Sequence, residues 1–157
     1  MKYGYYKSPI GIIEIIEEDG YIIATDFVEA MKPEDISEEI SRCKIQLEEY
    51  FQGERKDFDI NIKYSVGTEF QRKVWDKLKE ISYGETVSYK HIAKEIGNEK
   101  ASRAVGGANN KNPLGIIVPC HRVIGSNSKL VGYAGGLDKK QYLFCLLYTS
   151  PSPRDCS

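Results

Sequence analysis

The chain lacks most of what would mark a metal protein, a disulfide-stapled protein or a membrane protein. It has only two histidines, His91 and His121, and four cysteines, Cys43, Cys120, Cys145 and Cys156. None of the cysteines forms a CxxC pair, so neither a zinc site nor a disulfide framework is indicated. No stretch approaches the roughly 18 consecutive apolar residues of a membrane helix. The first residues, Met1-Lys2-Tyr3-Gly4-Tyr5, carry no apolar signal core, which points to a cytoplasmic protein. One tryptophan and a modest hydrophobic share leave room for one good core, or for two small lobes, in 157 residues.

The formal net charge of −1 conceals an asymmetry. Residues 1–63 hold 8 Lys/Arg against 15 Asp/Glu. Residues 86–129 hold Lys90, Lys94, Lys100, Arg103, Lys111, Arg122 and Lys129 against only Glu95 and Glu99. An acidic half joined to a basic half suggests that the second half meets a polyanion, although an ordinary solvated surface would look similar.

The first half reads as a small α/β lobe. Strands are expected at 3–6, 10–17 and 21–27, with Asp19-Gly20 as a two-residue hairpin turn. A helix is expected over 34–52, started by Pro33 and ended by Gly53, with Ile36, Ile40, Cys43, Leu47 and Tyr50/Phe51 on its apolar stripe. Cys43 therefore reads as core. A last strand is expected near 58–63. Nothing in this lobe carries chemistry.

The second half reads as mainly helical. Thr68-x-x-Gln71 has capping-box spacing before Phe70, Val74, Leu78 and Ile81. Trp75 flanks that face and reads as core or packing between lobes. Ser88 is expected to cap a helix over 89–96 with Gly97 as its stop. Asn98 is expected to cap another over 99–108. Two short helices around a Gly-containing turn fit a helix-turn-helix or an ordinary helical hairpin. Gly106-Gly107 inside the second, basic helix costs about 1 kcal/mol each against alanine. Close approach to a nucleic-acid backbone would justify that cost, as would close helix packing.

Ile116-Ile117-Val118 then reads as a buried strand running into Pro119-Cys120-His121-Arg122-Val123. A thiol beside an imidazole and a guanidinium can be lowered in pKa and made nucleophilic. Most free cysteines are simply small buried hydrophobes, and this segment alone leaves both readings open.

Taken together, the motifs resemble one family. Ile117 to Ile124 is similar to the PCHRV signature of the O6-alkylguanine-DNA alkyltransferases. Thr68 to Trp75, Tyr83 to Tyr89, Arg103 to Ala108 followed by Asn112-Pro113, and Gly132 to Leu137 all resemble that family's C-terminal domain. Ser8-Pro9-Ile10-Gly11 resembles the hairpin of its N-terminal domain. The resemblance runs over roughly residues 1–143.

It implies an α/β fold: an RNase H-like lobe at 1–64, and a DNA-binding alkyltransferase domain at 65–147 with a winged-helix-like helix-turn-helix. It also implies a monomer that meets duplex DNA in the minor groove, flips O6-alkylguanine (or O4-alkylthymine) out of the stack and moves the alkyl group irreversibly to its own cysteine.

Position by position, the resemblance makes Cys120 the acceptor and gives His121 the thiol proton through a water. Tyr89 would donate a hydrogen bond to guanine N3, and Arg103 would fill the gap left by the flipped base. Ala101, Ser102 and Gly106 would lie on the DNA-facing helix. Arg122 joins the DNA-binding set, as does Asn112, which would brace the active-site loop. Backbone groups of Cys120, Val123 and Ala134 would contact the base edge, and Gly132, Tyr133, Ala134 and Gly135 would form a wall of its pocket. No cofactor is implied. The zinc-binding Cys/His set of some members is absent, so no metal is expected.

The chain departs from the pattern near its end. The family glutamate that orients the histidine would fall at Leu147. Phe144 to Ser157 is unlike the family, and residues 148–157 read as a cloning, assembly or frameshift scar. Without that glutamate, transfer is expected to be slower but not lost. Three other readings compete: a non-catalytic alkyltransferase-like lesion binder, a helix-turn-helix regulator, and a cysteine hydrolase using Cys120 and His121.

Overall fold

Asp19-Gly20 does what its residue types demand. Both residues have positive φ, 52° and 86°, the requirement of a type I′ turn that matches the twist of the flanking strands. The computed structural model describes residues 1–124 of the chain, which divides into two compact units, Met1–Ser65 and Val66–Ser157.

In the first unit, β1 (Lys2–Ser8), β2 (Gly11–Glu18) and β3 (Tyr21–Val28) form an antiparallel meander in that order. Ile13, Ile15 and Glu17 of β2 are buried while their neighbours are half-exposed, the period-2 signature of a sheet with one covered face. β3 buries Ile22 to Thr25 without alternation, so it is covered on both faces. The helix α1 (Glu38–Phe51) buries Ile40, Cys43, Leu47 and Tyr50. It comes so close to β1 that a Cβ on Gly4 would meet Ile40 Cγ2 at 2.4 Å. Cys43 is fully buried, and burial pushes its thiol up to about 12.

Two expectations in this unit fail for physical reasons. The helix begins at Glu38, not 34. Ser37 caps it by accepting from the Ile40 N–H, and the preceding residues are held by β1: the Glu34 carboxylate accepts the Tyr5 N–H at 2.9 Å, and the Asp35 N–H goes to the Tyr3 carbonyl. Ile36 therefore precedes the helix and is exposed. The expected strand at 58–63 reduces to a single bridge, Ile22 to Ile62. Side chains of α1 take its backbone groups instead. Gln46 exchanges two hydrogen bonds with Asp59, and Glu39 accepts the Asn61 N–H at 2.6 Å.

In the second unit, α2 (Glu69–Leu78) opens with a complete Thr68/Gln71 capping box and ends at Leu78, a turn earlier than 81. β4 (Val87–Ser88) leads into α3 (Tyr89–Glu95), capped by Ser88. The end of α3 is a Schellman motif: Gly97 at φ 82° donates to the Lys94 carbonyl and Asn98 to Ala93. Asn98 thus closes α3 and does not cap the next helix. That helix, α4 (Ser102–Asn110), starts three residues later than expected, with Ala101 at its cap position and no side-chain cap. α4 packs on α2 and α3 through Val105 and Ala108. Trp75 of α2 is buried and donates its indole N–H to the Ala108 carbonyl at 2.8 Å.

The segment before Cys120 is not a strand. Ile116 sits at φ 72°, a region that a β-branched residue rarely enters. The Ile117 N–H there reaches back to the Gly115 carbonyl at 2.9 Å. Gly115 and Val118 form an isolated bridge and no strand. No helix among the described residues is long and apolar enough to cross a membrane.

Candidate active site

Two short elements link the segments that carry residues 89 and 120. β4 pairs in parallel with β5 (Val123–Ile124), Val87 opposite Val123 and Ser88 opposite Ile124. Tyr89 is the first residue after β4, and the 3₁₀ turn Cys120–Arg122 is the last before β5. In this parallel register Tyr89 leaves β4 at one end of the ladder and the cysteine turn enters β5 at the other, and across that two-residue span the charge of Cys120 acts on the Tyr89 phenol.

The turn is built by Pro119 and Asn112. Pro119 has φ −80° and ψ 64°, and the Cys120 N–H donates across it to the Val118 carbonyl at 2.8 Å. This is an inverse γ-turn. Asn112, buried, donates to the carbonyls of Val118 at 2.8 Å and Leu114 at 3.3 Å and accepts the Leu114 N–H at 3.0 Å. These bonds hold the loop between α4 and Cys120 closed. They occupy a side chain that the resemblance groups with the DNA-binding residues, so its part is to brace the loop from inside.

Cys120 and His121 are both buried, at 3% and 0% exposure. Successive side chains of a 3₁₀ turn diverge by about 120°, so thiol and imidazole leave the backbone in different directions. Both backbone groups of Cys120 are engaged within the domain. Its carbonyl accepts from the Val123 N–H and from Asn109 Nδ2, the latter at 3.2 Å. Val123 is wholly buried. The N–H and carbonyl of Cys120 and the N–H of Val123 thus have partners within the domain.

Tyr89 is half-buried. Burial is the main cause that raises its phenol above the usual range, with the charge of Cys120 acting the same way. A hydrogen bond with Asn109 acts in the opposite direction. The phenol is therefore protonated at neutral pH and able to donate. Asn109 is the residue that sequence reasoning missed. It fell just past the helix expected over 99–108, whereas it lies on the last turn of α4. Its spacing from Val105 and Asn112 is the signal that could have placed it on the buried face.

Arg103 is exposed on α4, on one face with Gly107 and Asn110. Ala101, Ser102 and Gly106 are partly exposed. Arg122 is different. It is 4% exposed, its Nη1 donates to the Ile81 carbonyl at 2.8 Å, and its guanidinium lies 5.6 Å from the Tyr83 ring centre. It ties the cysteine turn to the segment after α2 and does not offer the expected DNA contact. His91 is a surface histidine, 3.4 Å from Glu95. Gly132, Tyr133, Ala134, Gly135, Leu147 and the tail from 148 lie outside the described residues. Among the described residues no group of histidine, cysteine and carboxylate side chains could hold a metal ion.

Both units of the chain match known proteins. The family described as "6-O-methylguanine DNA methyltransferase, ribonuclease-like domain" matches residues 1–64, and "6-O-methylguanine DNA methyltransferase, DNA binding domain" matches 69–146. The chain is 51% identical over 153 residues to a methylated-DNA–protein-cysteine methyltransferase of Methanosarcina acetivorans, covering 93% of this chain and 97% of that one. It is 45% identical over 139 residues to the constitutive methylated-DNA–protein-cysteine methyltransferase of Bacillus subtilis, covering 82% and 84%. The solved structure of Mycobacterium tuberculosis OGT in complex with DNA superposes with a TM-score of 0.89 at 39% identity, covering 98% of each chain. With both lobes matched and this degree of identity, the chain belongs to the 6-O-methylguanine DNA methyltransferase family.

Proposed function

We propose that this chain repairs duplex DNA by transferring the alkyl group of O6-alkylguanine, and of O4-alkylthymine, to the sulfur of Cys120 in one irreversible step. The observation that carries the reading is a buried Cys120–His121 turn whose cysteine acts on the Tyr89 phenol, both bound to Asn109, in a chain of this family. His121 takes the thiol proton through a water. The thiolate attacks the alkyl carbon, a C–S bond forms, and the C–O6 bond breaks with its electron pair passing to the guanine. Tyr89, held protonated, donates to guanine N3 and stabilises that departing charge. The thioether does not turn over, so each molecule acts once.

The exposed face of α4 is the proposed contact with the minor groove, with Arg103 occupying the space of the flipped base. Gly106 and Gly107 support this assignment. A Cβ on either would meet nothing within 4 Å among the described residues, so close packing against these does not explain them. Close approach of a DNA backbone does. Alanine at either position is therefore expected to stabilise the fold by about 0.5–1 kcal/mol and at the same time to weaken duplex binding. Urea unfolding and a duplex titration at fixed salt would show the two opposite signs. The bare N-terminus of α4, whose first-turn N–H groups have no side-chain cap, suits a phosphate on the same face.

On this reading residues 65–147 are the transfer domain, 1–64 its companion lobe, and 148–157 belong to neither. The protein works as a cytoplasmic monomer. The test is stoichiometry: a duplex containing O6-methylguanine, mixed with a limiting amount of protein, should lose one methyl group per protein molecule and then stop. Continued turnover would favour a hydrolase. Tight binding with the lesion left intact would favour a non-catalytic lesion binder.

A further inference from the structure

We propose that Asn109 is a positioning residue for alkyl transfer, its single amide nitrogen holding the Cys120 carbonyl and the Tyr89 hydroxyl at once. The proposal rests on the assignment of Cys120 and Tyr89 given above, and goes beyond it.

Asn109 is 1% exposed, on the buried face of α4. Its Nδ2 lies 3.2 Å from the Cys120 carbonyl oxygen, and its side chain shares a hydrogen bond with the Tyr89 hydroxyl. A carbonyl can only accept, so it fixes which way the amide faces: the NH₂ group must point at Cys120. That group has two hydrogens, enough for both partners. Oδ1 is left buried with no hydrogen-bond partner among the described residues. A leucine would fill the same space without a stranded acceptor, so packing alone does not account for an asparagine here.

The arrangement has two chemical consequences. The Cys120 carbonyl is held at both lone pairs, by Asn109 and by the Val123 N–H, which fixes the backbone from which the thiol projects. The phenol oxygen of Tyr89 receives a hydrogen, so its own O–H is turned to another acceptor and is strengthened as a donor. One residue on α4, the helix proposed to face DNA, thus sets both the nucleophile and the donor that assists the leaving base. A displacement of about 1 Å at a reacting group can lower a rate on the order of 100-fold.

The test uses the intact chain and a duplex with one O6-methylguanine, under single-turnover conditions with protein in excess. Asn109→Ala, Asn109→Leu, Tyr89→Phe and the Asn109→Leu/Tyr89→Phe double variant are compared. Asn109→Leu keeps the volume and guards against a variant that fails to fold, which circular dichroism checks directly. Transfer at saturating protein is expected to slow by roughly 10–100-fold in both Asn109 variants, with duplex affinity unchanged. In the Tyr89→Phe background the Asn109→Leu loss is expected to be smaller. The Tyr89 phenol, read as the tyrosinate absorbance difference between each protein and its Tyr89→Phe counterpart, is expected to titrate at higher pH when Asn109 is replaced.

Wild-type transfer rates in Asn109→Leu would overturn the proposal. So would full additivity with Tyr89→Phe together with an unmoved phenol titration, since a merely structural residue would give that result. If Tyr89→Phe and Cys120→Ala themselves leave transfer intact, the functional assignment fails; if they lose it and the Asn109 variants do not, only this inference fails.

Discussion

Cys120→Ser is expected to lose alkyl transfer by more than about 10⁴-fold, the scale seen when a covalent nucleophile is removed, while still binding methylated duplex. The argument starts from what the other described cysteine can do. Cys43 is fully buried in α1, and its thiol is pushed up to about 12, first by burial and then by the Glu39 charge. At neutral pH it holds almost no thiolate, and thiolate is the reactive form. It cannot take over the reaction. Serine fits the space of Cys120 and leaves untouched the backbone bonds to Val118, Val123 and Asn109, because these are made by the peptide groups and not by sulfur. The loop and the DNA-facing helix should therefore survive the substitution. Only the chemistry should vanish, since a hydroxyl is far harder to deprotonate than a thiol. A gel-shift titration beside a transfer assay separates the two quantities. Loss of both together would mean that Cys120 acts through structure.

Trp75→Ala should have the largest effect on stability, about 3–5 kcal/mol. Trp75 is 1% exposed in the centre of the second unit, and its indole N–H holds the Ala108 carbonyl. It is also clasped by the backbone: a Cβ on Gly67, at φ 105°, would come within 2.5 Å of the ring. The fit therefore depends on glycine at 67 as well as on tryptophan at 75. Alanine would open a large cavity and take the indole donor from the Ala108 carbonyl, which keeps the Lys111 N–H. Ala108 precedes Asn109, so a shift of α4 should also slow transfer in whatever fraction remains folded. Trp75→Phe keeps most of the ring volume and should lose much less. Urea unfolding of the two variants checks the order. Equal, small losses would mean that α2 does not anchor α4.

What could be read from the sequence was local. Asp19-Gly20, the Thr68/Gln71 box, the Ser88 cap and the Gly97 stop each depend on residues within about five positions of one another, and the strands and helices they delimit follow from short periods. What could not be read depends on distant partners. Residues 58–63 have strand composition, yet Gln46 and Glu39 capture their backbone. Ile116 to Val118 look like a buried strand, yet Asn112 and a positive φ at Ile116 curl them into a loop. Asn98 has the chemistry of a helix cap, but the Schellman closure of α3 uses it first. Arg122 is a cation in a basic half, and only the fold shows it directed at the Ile81 carbonyl and the Tyr83 ring. Cys120, His121 and Tyr89 were marked as candidates by short signatures. Asn109 was not, because its part depends on the register of α4 against a turn eleven positions downstream.

The central claim is that Cys120 is the acceptor, and the most direct measurement is a peptide map. The protein is incubated with duplex carrying O6-methylguanine, digested, and its cysteine peptides are weighed by mass spectrometry. The account expects one added methyl group on the peptide containing Cys120, and unchanged peptides containing Cys43, Cys145 and Cys156. A methyl group on another cysteine, or an unmodified Cys120 peptide recovered with demethylated DNA, would contradict it.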